Sequence, residues 1–317
     1  MNLKGKRVLV TGGSGFLGRV ICEKLRDRGA NVQAPASFEY DLTDYTQALD
    51  CMTNLKPEVV IHSAALYGGL GINMKIPGRI YYYNLILGAH VVEASRECGT
   101  VEKFVGVGSA CSYPGYIDGQ LVEDMLWDGP VHESVRCYGI TKKLLQIQCE
   151  AYAKQYGFNG IHLILANLYG PWDSYNPERS HVVAALIRKF VEAEMHGENT
   201  VTMWGTGVAV REFLFVRDAA EAIVLATEKY DHTDPVNIGV GVGTSIKELV
   251  EKIVNVSDYQ GRIYWDTSKP DGQAAKVFSI DKMVNVLDWK PPTDLHEGLN
   301  ITIDWFQENY EKAIERW

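Results

Sequence analysis

A Tyr four residues ahead of a Lys, Tyr138 and Lys142 in the segment YGITK, is a pair suited to work at a carbonyl carbon. On a helix, positions i and i+4 lie on one face, so the ammonium can come near the phenol. A nearby cation favours the phenolate and lowers its pKa from about 10. Such a Tyr gives or takes a proton near neutral pH. Ser109, in GSACSYPG, offers a hydroxyl that could hold the carbonyl oxygen from the other side. Cys111 follows two residues later. Carbonyl reduction does not need a thiol there, and a free Cys is ordinarily a small buried apolar residue.

Those groups need a cofactor loop and a sheet to carry them. Arg7 to Val10 is a short buried-strand run, and TGGSGFLG follows it. Gly12, Gly15 and Gly18 have G-x-x-G-x-x-G spacing between a strand and a helix, the context that makes such a motif informative. Glycines permit a tight turn and close approach of a pyrophosphate, which then meets the free N–H groups of the helix start at Phe16 and Leu17. After the second strand, expected at Asn31 to Ala34, an acid would favour NAD and a base NADP. Ala34, Pro35, Ala36 and Ser37 are neither, so local chemistry leaves the choice open. Arg19 could reach a 2′-phosphate or be a solvated helix residue. Asp41, in the Asp41-Leu42-Thr43-Asp44 strand end and cap, is a candidate for the adenine amino group or a helix cap.

Further strands are expected at VVIHSAA, KFVGVGS and IHLILAN, with helices at Gly18 to Arg28, Tyr45 to Leu55, Tyr82 to Cys98 and Tyr138 to Tyr156. Buried strands alternating with amphipathic helices predict an α/β fold with a Rossmann-type, doubly wound parallel sheet. The pattern changes near Tyr169-Gly170-Pro171. WDSYNPERSH reads as loop, Val182 to Glu194 as helix, and VTMWGTGVAVREFLFVRD as two short strands around a Gly-rich turn. A smaller mixed α/β lobe built from discontinuous C-terminal pieces is expected.

The 317 residues suffice for one large α/β domain or two unequal ones, with no need of disulfides. Acidic residues outnumber basic ones, 40 to 31, which argues against nucleic acid as a partner. The six cysteines (22, 51, 98, 111, 137, 149) show neither C-x-x-C pairing nor zinc spacing, so no metal is expected. MNLKGKRVLVTGG does not read as a signal peptide, and no apolar run reaches membrane-spanning length. A reduced, soluble, cytoplasmic protein with no membrane partner is the expectation.

Ser109, Tyr138 and Lys142, with TGGSGFLG and HSAA (His62 to Ala65), resemble the extended short-chain dehydrogenase/reductase family over essentially the whole chain. The resemblance implies that Ser109 and Tyr138 hydrogen-bond the substrate oxygen. It implies that Lys142 holds the nicotinamide ribose and lowers the Tyr pKa, and that Ala64 and Ala65 line the cofactor with Asp41 and Leu42. GSACSYP, NLYGPWDSYNPERSHVV, MWGTGVAVREF and SKPDG resemble the GDP-L-fucose synthases, bifunctional 3,5-epimerase/4-reductases. That resemblance makes Cys111 and His181 an acid/base pair. A 4-keto group acidifies the protons at C3 and C5 of a hexose, and a thiol and an imidazole titrate close enough to neutrality to move them.

It further implies a GDP-linked 4-keto sugar as substrate, with contacts from Asn167, Arg188 or Lys189, Trp204, Arg211, Lys269 and Asp271. Arg211 would meet the diphosphate, since guanidinium matches phosphate oxygens bidentately. NADP(H) is favoured by resemblance and NAD(H) is not excluded. Arg residues that would read the NADP phosphate are replaced by Ser14 and the small residues after the second strand. Residues 1–170 are expected to bind the dinucleotide, joined by a returning segment at about 211–240. Residues 171–210 and 241–317 would bind the nucleotide-sugar. A homodimer built on helices Tyr82 to Cys98 and Tyr138 to Tyr156 is implied. Alternatives are a plain 4-reductase acting on a GDP-heptose or dideoxyhexose, and an NAD-retaining nucleotide-sugar epimerase.

Overall fold

Three wholly buried runs, Val59–His62, Lys103–Val107 and Gly160–Leu165, set the architecture, because strands apolar on both faces need cover on both. The computed structural model describes residues 1–117, 119–268 and 274–315. The first half runs β1 (Arg7–Thr11), α1 (Phe16–Asp27), β2 (Asn31–Gln33), α2 (Tyr45–Leu55), β3 (Val59–His62), α3 (Leu70–Lys75), α4 (Pro77–Glu97), β4 (Lys103–Val107), α5 (Arg136–Tyr156) and β5 (Gly160–Leu165). The second half continues β6 (Asn167–Tyr169), α6 (Val182–Met195), β7 (Thr200–Trp204), β8 (Val210–Arg211), β9 (Phe213–Phe215), α7 (Val216–Lys229), β10 (Val236–Ile238), β11 (Thr244–Ser245), α8 (Ile246–Ser257), β12 (Arg262–Asp266), β13 (Ala275–Lys276), α9 (Asp281–Leu287), α10 (Leu295–Glu308) and α11 (Tyr310–Glu315).

The main sheet is parallel throughout, in the order β10-β5-β4-β3-β1-β2. Helices α1, α7 and α9 share one core with it, and α2, α4 and α5 the other. Chain order reverses between β1 and β3, so the crevice beyond their carboxyl ends is where ligands bind in such sheets. A third core joins α6, α8, α10 and α11. Among the described residues no helix is long and apolar enough to cross a membrane.

Several boundaries differ from expectation. The second strand stops at Gln33, because Pro35 supplies no donor and restricts Ala34. Asp41 and Leu42 therefore lie on a loop, and the cap of α2 is Asp44, which accepts from the N–H groups of Thr46 and Gln47. VTMWGTGVAVREFLFVRD forms three strands rather than two, each in a different small sheet: β7 with β12, β8 between β11 and β13, and β9 with β6. Buried Glu212 separates β8 from β9 and accepts from the backbone N–H groups of Val240, Gly241 and Phe278. This staple holds three distant segments together.

Candidate active site

The glycine turn is built by contact. Gly12 has φ 71°, and a Cβ on Gly18 would lie 2.1 Å from the Gly12 carbonyl oxygen. Only Gly lets α1 start this close to β1. Gly15 caps α1 without a side-chain hydrogen bond, and the first turn carries no acid, so the positive end of the helix is left to an anion. The side chain of Phe16 is buried and that of Leu17 packs against the same core, so their backbone N–H groups are what they can offer a phosphate. Beside the turn, Thr11 Oγ1 hydrogen-bonds His62 Nδ1 at 2.8 Å and accepts from Ala64 N at 3.2 Å, fixing the Ala64-Ala65 edge. These residues fit a dinucleotide pyrophosphate. Asp41 is exposed and accepts from Thr43, and Leu42 leans on the core. Arg19 donates to the Ser14 carbonyl of the glycine loop at 3.2 Å. Its guanidinium lies 4.1 Å over the ring of Trp172, a residue held at φ 74° in the loop after β6.

Ser109 ends the β4 segment, and its Oγ accepts from Cys111 N at 3.2 Å, closing the short helical turn Ala110–Ser112. The next residue, Tyr113, anchors this loop: it is fully buried and donates to Asn237 Oδ1 at 2.8 Å. Gly139 brings α5 onto the loop, since a Cβ there would sit 2.2 Å from the Cys111 carbonyl oxygen. Tyr138, one residue earlier, is thereby held within the electrostatic reach of Cys111.

Lys142 is buried, donates to the Val107 carbonyl at 3.0 Å, and lies 5.7 Å from the Tyr138 ring centroid. Burial lowers its pKa to about 8. The expected lowering of the Tyr138 pKa is not found. Burial, with the neighbouring Cys111 and Tyr67, pushes the phenol up. Burial is the largest cause, and one of the three ammonium donors of Lys142 goes to the Val107 carbonyl. Two buried imidazoles, His62 and His162, lie in the field of Lys142 and are held neutral by burial, each near 3.

Around Cys111 the structure gathers two cations. Lys276 pairs in register with Arg211 across parallel strands β13 and β8, which puts both side chains on one side. Lys276 Nζ donates to Ala110 O at 3.3 Å. Burial lowers both pKa values, the nearby Cys111 opposes this, and Arg211 adds to the lowering at Lys276. No motif pointed to Lys276; its position four residues beyond SKPDG was the only cue. His181 caps α6, half-buried, and its imidazole stacks on Tyr67 with centroids 5.6 Å apart and planes 7° from parallel. Burial lowers its pKa. Tyr67 was also missed.

The remaining candidates divide. Asn167 Nδ2 donates to Glu212 O at 3.0 Å, at the junction of β6 with β8 and β9. Arg188 is committed elsewhere, to Glu192 at 2.7 Å and to the Tyr175 carbonyl at 2.9 Å. Lys189, exposed, donates to the Thr202 carbonyl. Trp204, on the edge pair β7–β12, is 71% exposed, so it is not a core Trp. Lys269 and Asp271 lie outside the described residues.

Comparison with known proteins agrees with this geometry. The family model described as the NAD dependent epimerase/dehydratase family matches residues 8–239. A GDP-L-fucose synthase of Sinorhizobium fredii is 38% identical, with 97% of each chain covered. A GDP-L-fucose synthetase of Naegleria fowleri superposes with TM-score 0.90 at 27% identity, covering 99% of this chain and 97% of that one. The NADP-bound GDP-mannoheptose C4 reductase of Campylobacter jejuni gives TM-score 0.87 at 28% identity, covering 97% and 99%. The chain belongs to the NAD dependent epimerase/dehydratase family of extended short-chain dehydrogenase/reductases, and its relatives there include the GDP-L-fucose synthases.

Proposed function

We propose that this protein converts a GDP-linked 4-keto sugar to a GDP-deoxy-sugar such as GDP-L-fucose, by epimerisation at C3 and C5 and reduction at C4. The observation that carries the reading is what gathers near Tyr138: the next residue, Gly139, packs on the Cys111 carbonyl, and the phenol lies in the field of both Cys111 and Tyr67, the ring on which His181 stacks. A simple reductase has no use for a thiol near its proton donor and an imidazole stacked on a neighbouring ring. Naming of relatives as GDP-L-fucose synthases supports the substrate, and an NADP-bound relative supports NADP(H). When bound, NADPH supplies the hydride that ends on C4.

The chain's own residues do the proton chemistry. The C4 carbonyl acidifies the neighbouring C–H bonds, so Cys111 and His181 can remove a proton from one face and return one to the other. Neutral His181 suits the base role. Ser109 holds the C4 oxygen. Tyr138, kept protonated by its raised pKa, donates its proton to that oxygen as the alkoxide forms. The Lys142 charge then offsets the phenolate that remains. Arg211 and Lys276, two cations held side by side, suit the diphosphate.

We assign cofactor binding to residues 1–170 with a returning segment at about 211–240, and nucleotide-sugar binding to 171–210 and 241–317. A homodimer through α4 and α5 is part of the proposal. The two helices pack together and still expose Tyr82 (66%) and Ile147 (42%). A cytoplasmic location fits six free thiols.

A second reading, a plain C4 reductase for another GDP-4-keto sugar, is favoured by the likeness to the GDP-mannoheptose C4 reductase. Incubation with GDP-4-keto-6-deoxy-mannose and NADPH tests the first. NADPH oxidation with formation of GDP-L-fucose is expected. A reduced product that keeps the C3 and C5 configuration selects the second reading, and no oxidation contradicts the first.

A further inference from the structure

Tyr67 has no part in the chemistry above, yet its surroundings are built with unusual care for a loop residue. It lies between β3 and α3 and is 37% exposed. The backbone on either side is pinned by buried amides. Asn84 accepts from Leu66 N and donates to Leu66 O, both at 2.8 Å. Asn73 donates to the carbonyls of Gly68 and Gly69, both at 3.0 Å. The same loop is pressed onto the segment that carries His181. Gly69 N donates to Arg179 O at 2.9 Å, and a Cβ on Gly69 would stand 2.6 Å from Ser180 O. Two loops far apart in sequence are thus locked backbone to backbone, and the stacked rings of Tyr67 and His181 stand at the lock.

A near-parallel stack fixes the plane of an imidazole and leaves its nitrogens to act along that plane. Proton transfer to carbon is sensitive to such aim, because a displacement of about 1 Å can cost on the order of a hundredfold in rate. Tyr67 also lies within the electrostatic reach of the Tyr138 phenol.

We propose that Tyr67 is the positioning residue for His181: its ring sets the plane of the imidazole that moves the proton. The proposal rests on the epimerase/reductase reading. It assigns the effect to the ring rather than the hydroxyl, which separates positioning from a direct proton-transfer role for the phenol.

The test compares Tyr67→Ala and Tyr67→Phe with the unaltered protein in D2O, with GDP-4-keto-6-deoxy-mannose and NADPH. Deuterium placed at C3 and C5 per hydride transferred should fall at least about tenfold in Tyr67→Ala and return in Tyr67→Phe. Binding of NADPH, read by fluorescence, should be unchanged in both. An unchanged deuterium-to-hydride ratio in Tyr67→Ala overturns the proposal. So does a loss in Tyr67→Phe as large as in Tyr67→Ala, which would make the hydroxyl the acting group. If the unaltered protein incorporates no deuterium, the functional reading fails instead. The His181 ring-proton resonance then decides the positioning claim: it should be ring-current shifted in the unaltered protein and in Tyr67→Phe, and lose that shift in Tyr67→Ala. A resonance that does not move contradicts it.

Discussion

Lys142 meets Tyr138 through the ring face: its ammonium lies 5.7 Å from the ring centroid and is hydrogen-bonded at 3.0 Å to the Val107 carbonyl at the end of β4. The ammonium is anchored to the sheet, and burial of the phenol keeps the proton on Tyr138. For an enzyme working in the reducing direction this is the useful state, because the donor must be protonated before the alkoxide forms.

Burying Lys142 costs stability. Its pKa falls from 10.5 to about 8, so between these values the unfolded chain holds a proton that the folded one has lost, and stability rises with pH across that window. Below about pH 8 the cost is constant, up to roughly 3 kcal/mol. Lys142→Met should therefore gain about 1–3 kcal/mol in urea unfolding at pH 7, part of the gain being offset by the unpaired Val107 carbonyl. The gain should vanish near pH 10.5, and hydride transfer should be lost. Destabilisation at pH 7 would contradict the assignment.

His162 places a second cost beneath the site. It is fully buried on β5, and among the described residues neither ring nitrogen has a hydrogen-bond partner. Burial, reinforced by Lys142, holds its pKa near 3. A His with a depressed pKa contributes stability above about pH 6.5 that is lost as pH falls toward 3. His162→Leu should be neutral or stabilising by about 1 kcal/mol at pH 7. It should also flatten the acid limb by one proton, about 1.4 kcal/mol per pH unit between pH 4 and 6. An acid limb identical to that of the unaltered protein would rule this out.

Gly139 tests the packing of α5 on the Cys111 loop. An added methyl would meet the Cys111 carbonyl oxygen at 2.2 Å and Val131 Cγ1 at 2.8 Å, and a backbone atom cannot yield cheaply. Gly139→Ala should cost about 1–3 kcal/mol and reduce both deuterium exchange and hydride transfer. Full activity with an unshifted melting temperature would show that the close approach is dispensable.

Arg211 and Lys276 repel each other at neighbouring positions of β8 and β13. A diphosphate relieves that repulsion. Lys276→Met should therefore raise KM for the nucleotide-sugar by about ten- to a hundredfold, the worth of a charged hydrogen bond, while leaving NADPH binding intact. An unchanged KM would place the diphosphate elsewhere.

What could be read from the sequence was what is local. The glycine turn, the Tyr138–Lys142 spacing and the buried strand runs are each set by a few adjacent residues, and they gave the parallel sheet and its cofactor crevice. Lys276 was hidden because it reaches Arg211 only through strand pairing across 65 residues of chain, a register that no spacing rule reports. Tyr67 reaches His181 through the docking of two loops, again invisible to periodicity. For Trp204 and Arg188 residue type suggested a ligand; the fold leaves one exposed on an edge strand and pairs the other with Glu192. Helix spacing predicted that Lys142 would approach Tyr138, but not that Val107 would take its donor.

Cys111→Ser, run in D2O with GDP-4-keto-6-deoxy-mannose and NADPH beside the unaltered protein, tests the central claim most directly. The unaltered protein should yield a reduced sugar carrying deuterium at C3 and C5. Cys111→Ser should still oxidise NADPH but give a 4-reduced product with deuterium lowered at least about a hundredfold, the scale of a lost general acid or base. Deuterium incorporation that survives in Cys111→Ser would contradict the assignment of Cys111. A deuterium-free product from the unaltered protein would reduce the activity to that of a plain 4-reductase.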